Sequence, residues 1–181
     1  MSMRDLAWVS LSLVIAGCAG AAAVVETPNL GQPVREADVA GWDISIPPDG
    51  AGLPAGRGTS ARGALVYEAK CQSCHGAKGV GQPNDRLVGG LGTLASKAPV
   101  RTIGSYWPYA TTVFDYVRRS MPYTQSQSLT NDEVYAVTAY LLHQNGIIAE
   151  TDEMNAQTLP KVKMPNRDNF IVVYPRKPAA R

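Results

Sequence analysis

The sequence predicts an all-α domain of three or more helices, flanked by irregular N- and C-terminal extensions. Three observations carry this expectation. Apolar residues recur with helical spacing in three separate stretches. The last of them carries helix start and stop signals at both ends. Prolines and glycines crowd the flanking segments, and no strand-helix alternation is present. With 181 residues, the chain is long enough for one domain with its own core.

Residues 1–20 read as an export signal: Arg4, then an apolar run from Leu6 to Ala16, then small residues. The run is too short to span a bilayer. Two processing routes are open. Ile15-Ala16-Gly17-Cys18 fits a lipoprotein signal, in which Cys18 becomes the acylated first residue, while Ala19-Gly20-Ala21 fits an ordinary A-x-A cleavage site that discards Cys18. Both place the domain outside the cytoplasm, as a periplasmic protein or a membrane-anchored lipoprotein. Residues 21–56, rich in Ala, Gly and Pro, read as a tether and wrapping loop, with Trp42, Ile44 and Ile46 alternating as an extended stretch that packs on the domain.

The domain itself is expected over 57–147. Its first helix starts near Thr59 or Ser60 and runs into the cysteines, with Gly63, Val66, Tyr67 and Lys70 on one face. A glycine costs about 1 kcal/mol inside a helix, so Gly63 points to a second helix crossing close to the backbone there. Residues 78–100 carry Gly79, Gly81, Gly89, Gly90, Gly92, Pro83 and Pro99, which forbids a long regular element and predicts a loop folded over something. A short helix follows over Thr111 to Ser120, with Val113, Phe114 and Val117 inward. Thr130-Asn131-Asp132-Glu133 is a capping box that opens the third helix, and Gly146 stands at its C-terminal stop. Val134, Val137, Thr138 and Leu141 form its buried stripe. Residues 148–181 hold Pro160, Pro165 and Pro175 and predict an irregular extension packing on the domain.

Charge excludes one class of partner. The balance of 17 basic against 15 acidic residues offers no field for a polyanion, so no nucleic acid is expected. The three cysteines give no disulfide framework, because Cys18 is lipidated or removed and the other two lie within one short motif.

That motif, Cys71-Gln72-Ser73-Cys74-His75, is the attachment sequence of c-type haem. Two thiols three residues apart on a helical turn reach the two vinyl groups, and the adjacent imidazole reaches the iron. A redox dithiol is the first rival, but such sites sit in a βαβ pattern that is lacking here. Structural zinc is the second, but it needs four ligands, and the other histidine is His143. One covalent haem c is therefore expected. For the sixth ligand the candidates are Met121, Met154, Met164 and His143. Met121 follows the second helix and precedes a polar turn, which favours it. Met154 and Met164 fall in the tail, and His143 lies opposite the buried stripe, where it suits a helix C-cap. His75 with Met121 would leave a six-coordinate iron, hence a one-electron carrier with a raised potential suited to transfer toward a terminal oxidase. The alternatives are a haem enzyme with a displaceable sixth ligand, acting on a peroxide or a sulfur anion, and a scaffold whose haem is structural. Arg101, Trp107, Tyr109 and Tyr123 are candidates for holding the haem propionates. The Pro83 carbonyl is a candidate acceptor for the other ring proton of His75.

In this order, the motif, the glycine-rich loop, Ser120-Met121-Pro122 and the capped helix resemble monohaem class I cytochromes c. That resemblance implies that Gly63 and Tyr67 lie where the first helix crosses the last, against Val137 and Tyr140. Further segments are similar to the cytochrome subunits of bacterial sulfite and sulfane-sulfur dehydrogenases. They include Pro48-Asp49-Gly50, Arg86-Leu87-Val88-Gly89-Gly90, Gly104-Ser105-Tyr106-Trp107-Pro108-Tyr109, Ser120-Met121-Pro122-Tyr123 and Met164-Pro165-Asn166-Arg167. This similarity covers about residues 41 to 170. It implies a molybdenum-dependent sulfite or sulfane-sulfur dehydrogenase as electron donor and another cytochrome or a terminal oxidase as acceptor. Long members of that group hold two haem domains, whereas this chain has one C-x-x-C-H.

Overall fold

The computed structural model describes residues 30–171 together with 173 and 174. The export signal, Cys18 and the first part of the tether lie outside the described residues. The chain divides into two units, residues 1–39 and 40–181. In the first, Glu36–Val39 forms one helical turn, and Arg35 bridges Asp38 at 2.7 Å on its surface.

In the second unit the sequence patterns become four helices: α1 (Ser60–Lys70), α2 (Gln72–His75), α3 (Ala110–Ser120) and α4 (Asn131–Gln144). The capping box of α4 is formed: the Thr130 hydroxyl accepts from the Glu133 N–H at 3.3 Å, and the Glu133 carboxylate accepts from the Thr130 N–H at 2.8 Å. The bond from the Thr130 backbone, followed by the one from its hydroxyl, holds the Glu133 carboxyl below the usual carboxylate range. Gly146 ends the element with φ +69°, a left-handed conformation that glycine adopts without steric cost.

α4 is the centre of the core. The stripe expected from periodicity proves too narrow, because every residue from Val134 to Leu142 is buried. The reason is that α4 is flanked on several sides: α1, α3 and the strand β1 (Arg57–Thr59) all pack on it. At the crossing with α1, a Cβ on Gly63 would run into the Ala136 carbonyl oxygen, and Tyr67 stacks on Tyr140 with ring centroids 5.1 Å apart. On the other flank Phe114 meets Tyr135 at 4.4 Å.

The tail, expected to be irregular, adds a strand. Strand β2 (Glu153–Asn155) pairs antiparallel with β1, setting Gly58 opposite Met154. Three residues per strand give no period to detect, and β1 merges into the helix signal of α1. Met154, Leu159 and Met164 of this tail are buried in the core. No helix among the described residues is long and apolar enough to cross a membrane.

Residues 44–54 strap the outside of the helices. The Asp115 carboxylate accepts from the Ile46 N–H at 2.8 Å and pairs with Arg119 at 2.6 Å, Thr111 donates to the Pro48 carbonyl at 2.9 Å, and the Tyr135 hydroxyl donates to the Pro54 carbonyl at 2.9 Å. Ile46 is buried and Ile44 half-buried, but Trp42 is 85 % exposed, contrary to the packing expected of it. The anchoring bonds start at Ile44, whose carbonyl accepts from Arg118, so the strap's hold ends before Trp42.

Two consequences are measurable. Burial alone would raise the Asp115 pKa, yet the bonds from Arg119 and Ile46 and the nearby arginine charges outweigh it and leave the carboxyl below its ordinary value. A depressed folded-state pKa contributes stability that is complete above the unfolded value of about 3.9 and is lost as pH falls through the folded value. Asp115→Asn should therefore cost about 1–2 kcal/mol at pH 7, a figure discounted because the Arg119 side chain is 39 % exposed. In denaturant titrations the gap between variant and wild type should close below about pH 4. The second consequence concerns Thr138, whose hydroxyl is buried on α4 without a hydrogen-bond partner among the described residues. Thr138→Val keeps the shape and removes the unsatisfied group, so it should raise stability by about 1 kcal/mol in the same titration.

Candidate functional site

The helical path breaks once at Cys71 (φ −125°, ψ −35°), between α1 and α2, and both cysteines of the motif remain unbridged thiols. The Cys71 N–H still bonds back to the Tyr67 carbonyl at 2.9 Å, and the His75 N–H bonds to the Cys71 carbonyl at 2.9 Å. The two thiols and the imidazole thus sit on one continuous turn. Cys71 is half-buried and Cys74 exposed.

A redox dithiol needs a lowered thiol pKa. Here burial, with Cys74 adding to it, pushes the Cys71 thiol up to about 11. Structural zinc needs four ligands. No group of three or more His, Cys, Asp or Glu gathers among the described residues.

The His75 ring is oriented by the loop that follows it. Its Nδ1 lies 2.8 Å from the Asp85 carbonyl oxygen. A carbonyl only accepts, so Nδ1 is the donor in this bond and Nε2 is the ring nitrogen left for a metal. The acceptor is the Asp85 carbonyl and not that of Pro83, the candidate the sequence offers. Loop 76–88 folds back on itself, with Gly81 N–H on the His75 carbonyl at 2.8 Å and Asn84 N–H on the Cys74 carbonyl at 2.8 Å, and this carries residue 85 to the ring. Only the closed loop reveals which carbonyl arrives. Inside the helix crossing, the Tyr67 hydroxyl donates to the Gly76 carbonyl at 2.9 Å and so grips the turn just after His75. Burial, then the neighbouring Cys71 and Tyr140, pushes that hydroxyl up to about 12 and keeps it a donor.

Among the ligand candidates, Met121 ends α3 with extended backbone (φ −119°, ψ 147°) and is half-buried. Met154 and Met164 are core side chains. His143 does not cap α4; its Nδ1 lies 3.3 Å from the downstream Ile148 carbonyl, while Asn145 occupies the C-cap.

Arg101, Trp107 and Tyr109 each engage a different neighbour. Arg101 lies 5.7 Å from the Tyr106 ring centroid, Trp107 stands edge-on to Tyr116 at 5.8 Å, and Tyr109 lies under Arg167 at 5.4 Å. Tyr123 is 85 % exposed. Arg101 also lines an open groove of about 710 Å³ with Leu91, Leu94, Tyr106 and Phe170, and neither the thiols, His75 nor Met121 reaches that groove.

Unbridged paired thiols, an adjacent imidazole whose Nδ1 is engaged so that Nε2 is left for a metal, and a helix crossing whose Tyr67 holds the end of the turn fit a covalently attached haem. A family model described as cytochrome c matches residues 60–145. The chain belongs to the cytochrome c family and is a c-type electron-transfer cytochrome of the class I fold, with one covalent haem c. Among solved structures, it is similar to a chain of the crystal structure of the sulfane dehydrogenase SoxCD from Paracoccus pantotrophus. The two are 40% identical, with a TM-score of 0.75, over 80% of this chain and 72% of that one. Comparison with the curated proteins gives no match.

Proposed function

We propose that this cytochrome is a one-electron carrier outside the cytoplasm, with haem c held by thioethers to Cys71 and Cys74 and ligated by His75 Nε2 and Met121. When bound, haem c supplies a one-electron couple at iron. The residues supply its setting. Cys71 and Cys74 make the attachment permanent, Asp85 keeps the His75 ring in one tautomer, and Tyr67 fixes the turn between them. Met121 would fill the remaining ligand position, which would disfavour small-molecule chemistry.

The observation that carries this reading is the hydrogen bond from His75 Nδ1 to the Asp85 carbonyl beside two unbridged thiols. A ligand histidine needs such an outer contact, and a surface histidine does not. The likeness to a chain of SoxCD supports a molybdenum sulfite or sulfane-sulfur dehydrogenase as donor, with another cytochrome or a terminal oxidase as acceptor. The export signal supports a periplasmic site, with Cys18 as a lipid anchor if it is retained.

Native protein should show one haem mass on the peptide 71–75 and no spectral change when the reduced form meets carbon monoxide. Rapid carbon monoxide binding would defeat the closed six-coordinate site. The donor assignment is checked by stopped-flow reduction with a purified sulfane-sulfur or sulfite dehydrogenase, and failure of both to reduce the protein would sink it.

A further inference from the structure

The loop that supplies Asp85 to His75 is itself held at one point from the far end of α4. Asn145, the α4 C-cap, is 5% exposed. Its Nδ2 donates to the Leu141 carbonyl at 2.8 Å and to the Leu87 carbonyl at 3.2 Å, and its Oδ1 accepts from the Gly89 N–H at 3.0 Å. The same Leu87 carbonyl accepts from the Ile103 N–H at 3.2 Å, and the Gly89 carbonyl accepts from the Thr102 hydroxyl at 2.6 Å. Gly104 closes over the amide, where a Cβ would meet Asn145 Oδ1 and lie 2.6 Å from its Cγ.

We infer that Asn145 is a positioning residue for His75: its buried amide clamps residues 87 and 89 to the end of α4, and so keeps the Asp85 carbonyl against Nδ1 two residues upstream of the clamp. Leu87 and Val88 are tied on their other side to the Gly79 carbonyl, at 2.8 and 3.1 Å, so the segment between His75 and the clamp has fixed ends. One amide satisfies a helix carbonyl and two loop groups together. A hydroxyl or a lone carboxylate lacks that combination of donor and acceptor. The acceptor on Nδ1 raises the basicity of the ring toward a metal. Loosening it should therefore destabilise the oxidised form relative to the reduced form and raise the midpoint potential.

This inference rests on His75 being the haem ligand, and that premise is checked in wild type by the haem mass on peptide 71–75. The test uses purified holoprotein with Asn145→Leu, which removes all three bonds at similar volume, and Asn145→Asp, which keeps only the acceptor for Gly89. Gly104→Ala, which displaces the amide from outside, serves if Asn145→Leu fails to fold. Tyr135→Phe, which loses the bond to the Pro54 carbonyl, is the control for general destabilisation. The midpoint potential should rise in each clamp variant, more for Leu than for Asp. Amide exchange at Leu87 and Gly89 should accelerate about ten-fold. Tyr135→Phe should change neither. A potential that stays at the wild-type value in variants that retain haem, or a loop exchange no faster than in Tyr135→Phe, overturns the assignment.

Discussion

Met121→Ala should convert a closed haem site into an open one. If Met121 supplies the sixth ligand, its loss leaves one face of the iron to water or an added ligand. The reduced variant should then bind carbon monoxide rapidly, and the ferric form should lose its sulfur-to-iron charge-transfer band. The midpoint potential should fall by a few tenths of a volt, a sizeable part of the roughly 0.8 V that axial ligands span. Covalent attachment through Cys71 and Cys74 should keep the haem in place, so the mass of the variant serves as an internal check. A spectrum indistinguishable from wild type would remove Met121 from the site. Met154 and Met164 are poor substitutes, because both are buried in the core at 4% and 3% exposure and would have to leave it.

The largest expected loss of stability falls at Gly63. Alanine there gains helix propensity of up to about 1 kcal/mol. Against this, its Cβ would lie 2.7 Å from Tyr140 Cβ and closer still to the Ala136 carbonyl oxygen, so α1 and α4 would have to separate. Backbone cannot yield as a flexible side chain does, so the cost falls at or above the top of the usual overpacking range of about 1–3 kcal/mol. A net loss of roughly 2–3 kcal/mol should lower the Tm of the holoprotein by roughly 5–12 °C. Leu65→Ala, on the exposed face of the same helix, should stay within about 0.5 kcal/mol of wild type. An unchanged or raised Tm for Gly63→Ala would mean that the two helices do not touch there.

The crossing shows how far one chain of letters can be read. Gly63 stood out as a gap in a helical face, and the resemblance to class I cytochromes placed Tyr67 against Tyr140. The capping box at Thr130 and the stop at Gly146 were legible because they depend on residues within four positions of each other. His143, by contrast, suits by its sequence position a C-cap that Asn145 fills. A buried amide bonded to residues more than fifty positions away leaves no periodic signal.

The sequence by itself determined the attachment motif, the three principal helices and the segments that are not helical, because these follow from local spacing, backbone preference and capping. Tertiary structure alone decided which carbonyl meets His75, that β1 and β2 pair, that α4 is buried all round from Val134 to Leu142, and that Asn145 joins its end to the haem loop. For the carbonyl at His75, the strand pair and the loop groups that the Asn145 amide meets, the physical reason is the same. Closing a loop brings together backbone groups that any residue possesses, so the identity of the partner is set by where the chain is packed and not by the side chain it carries.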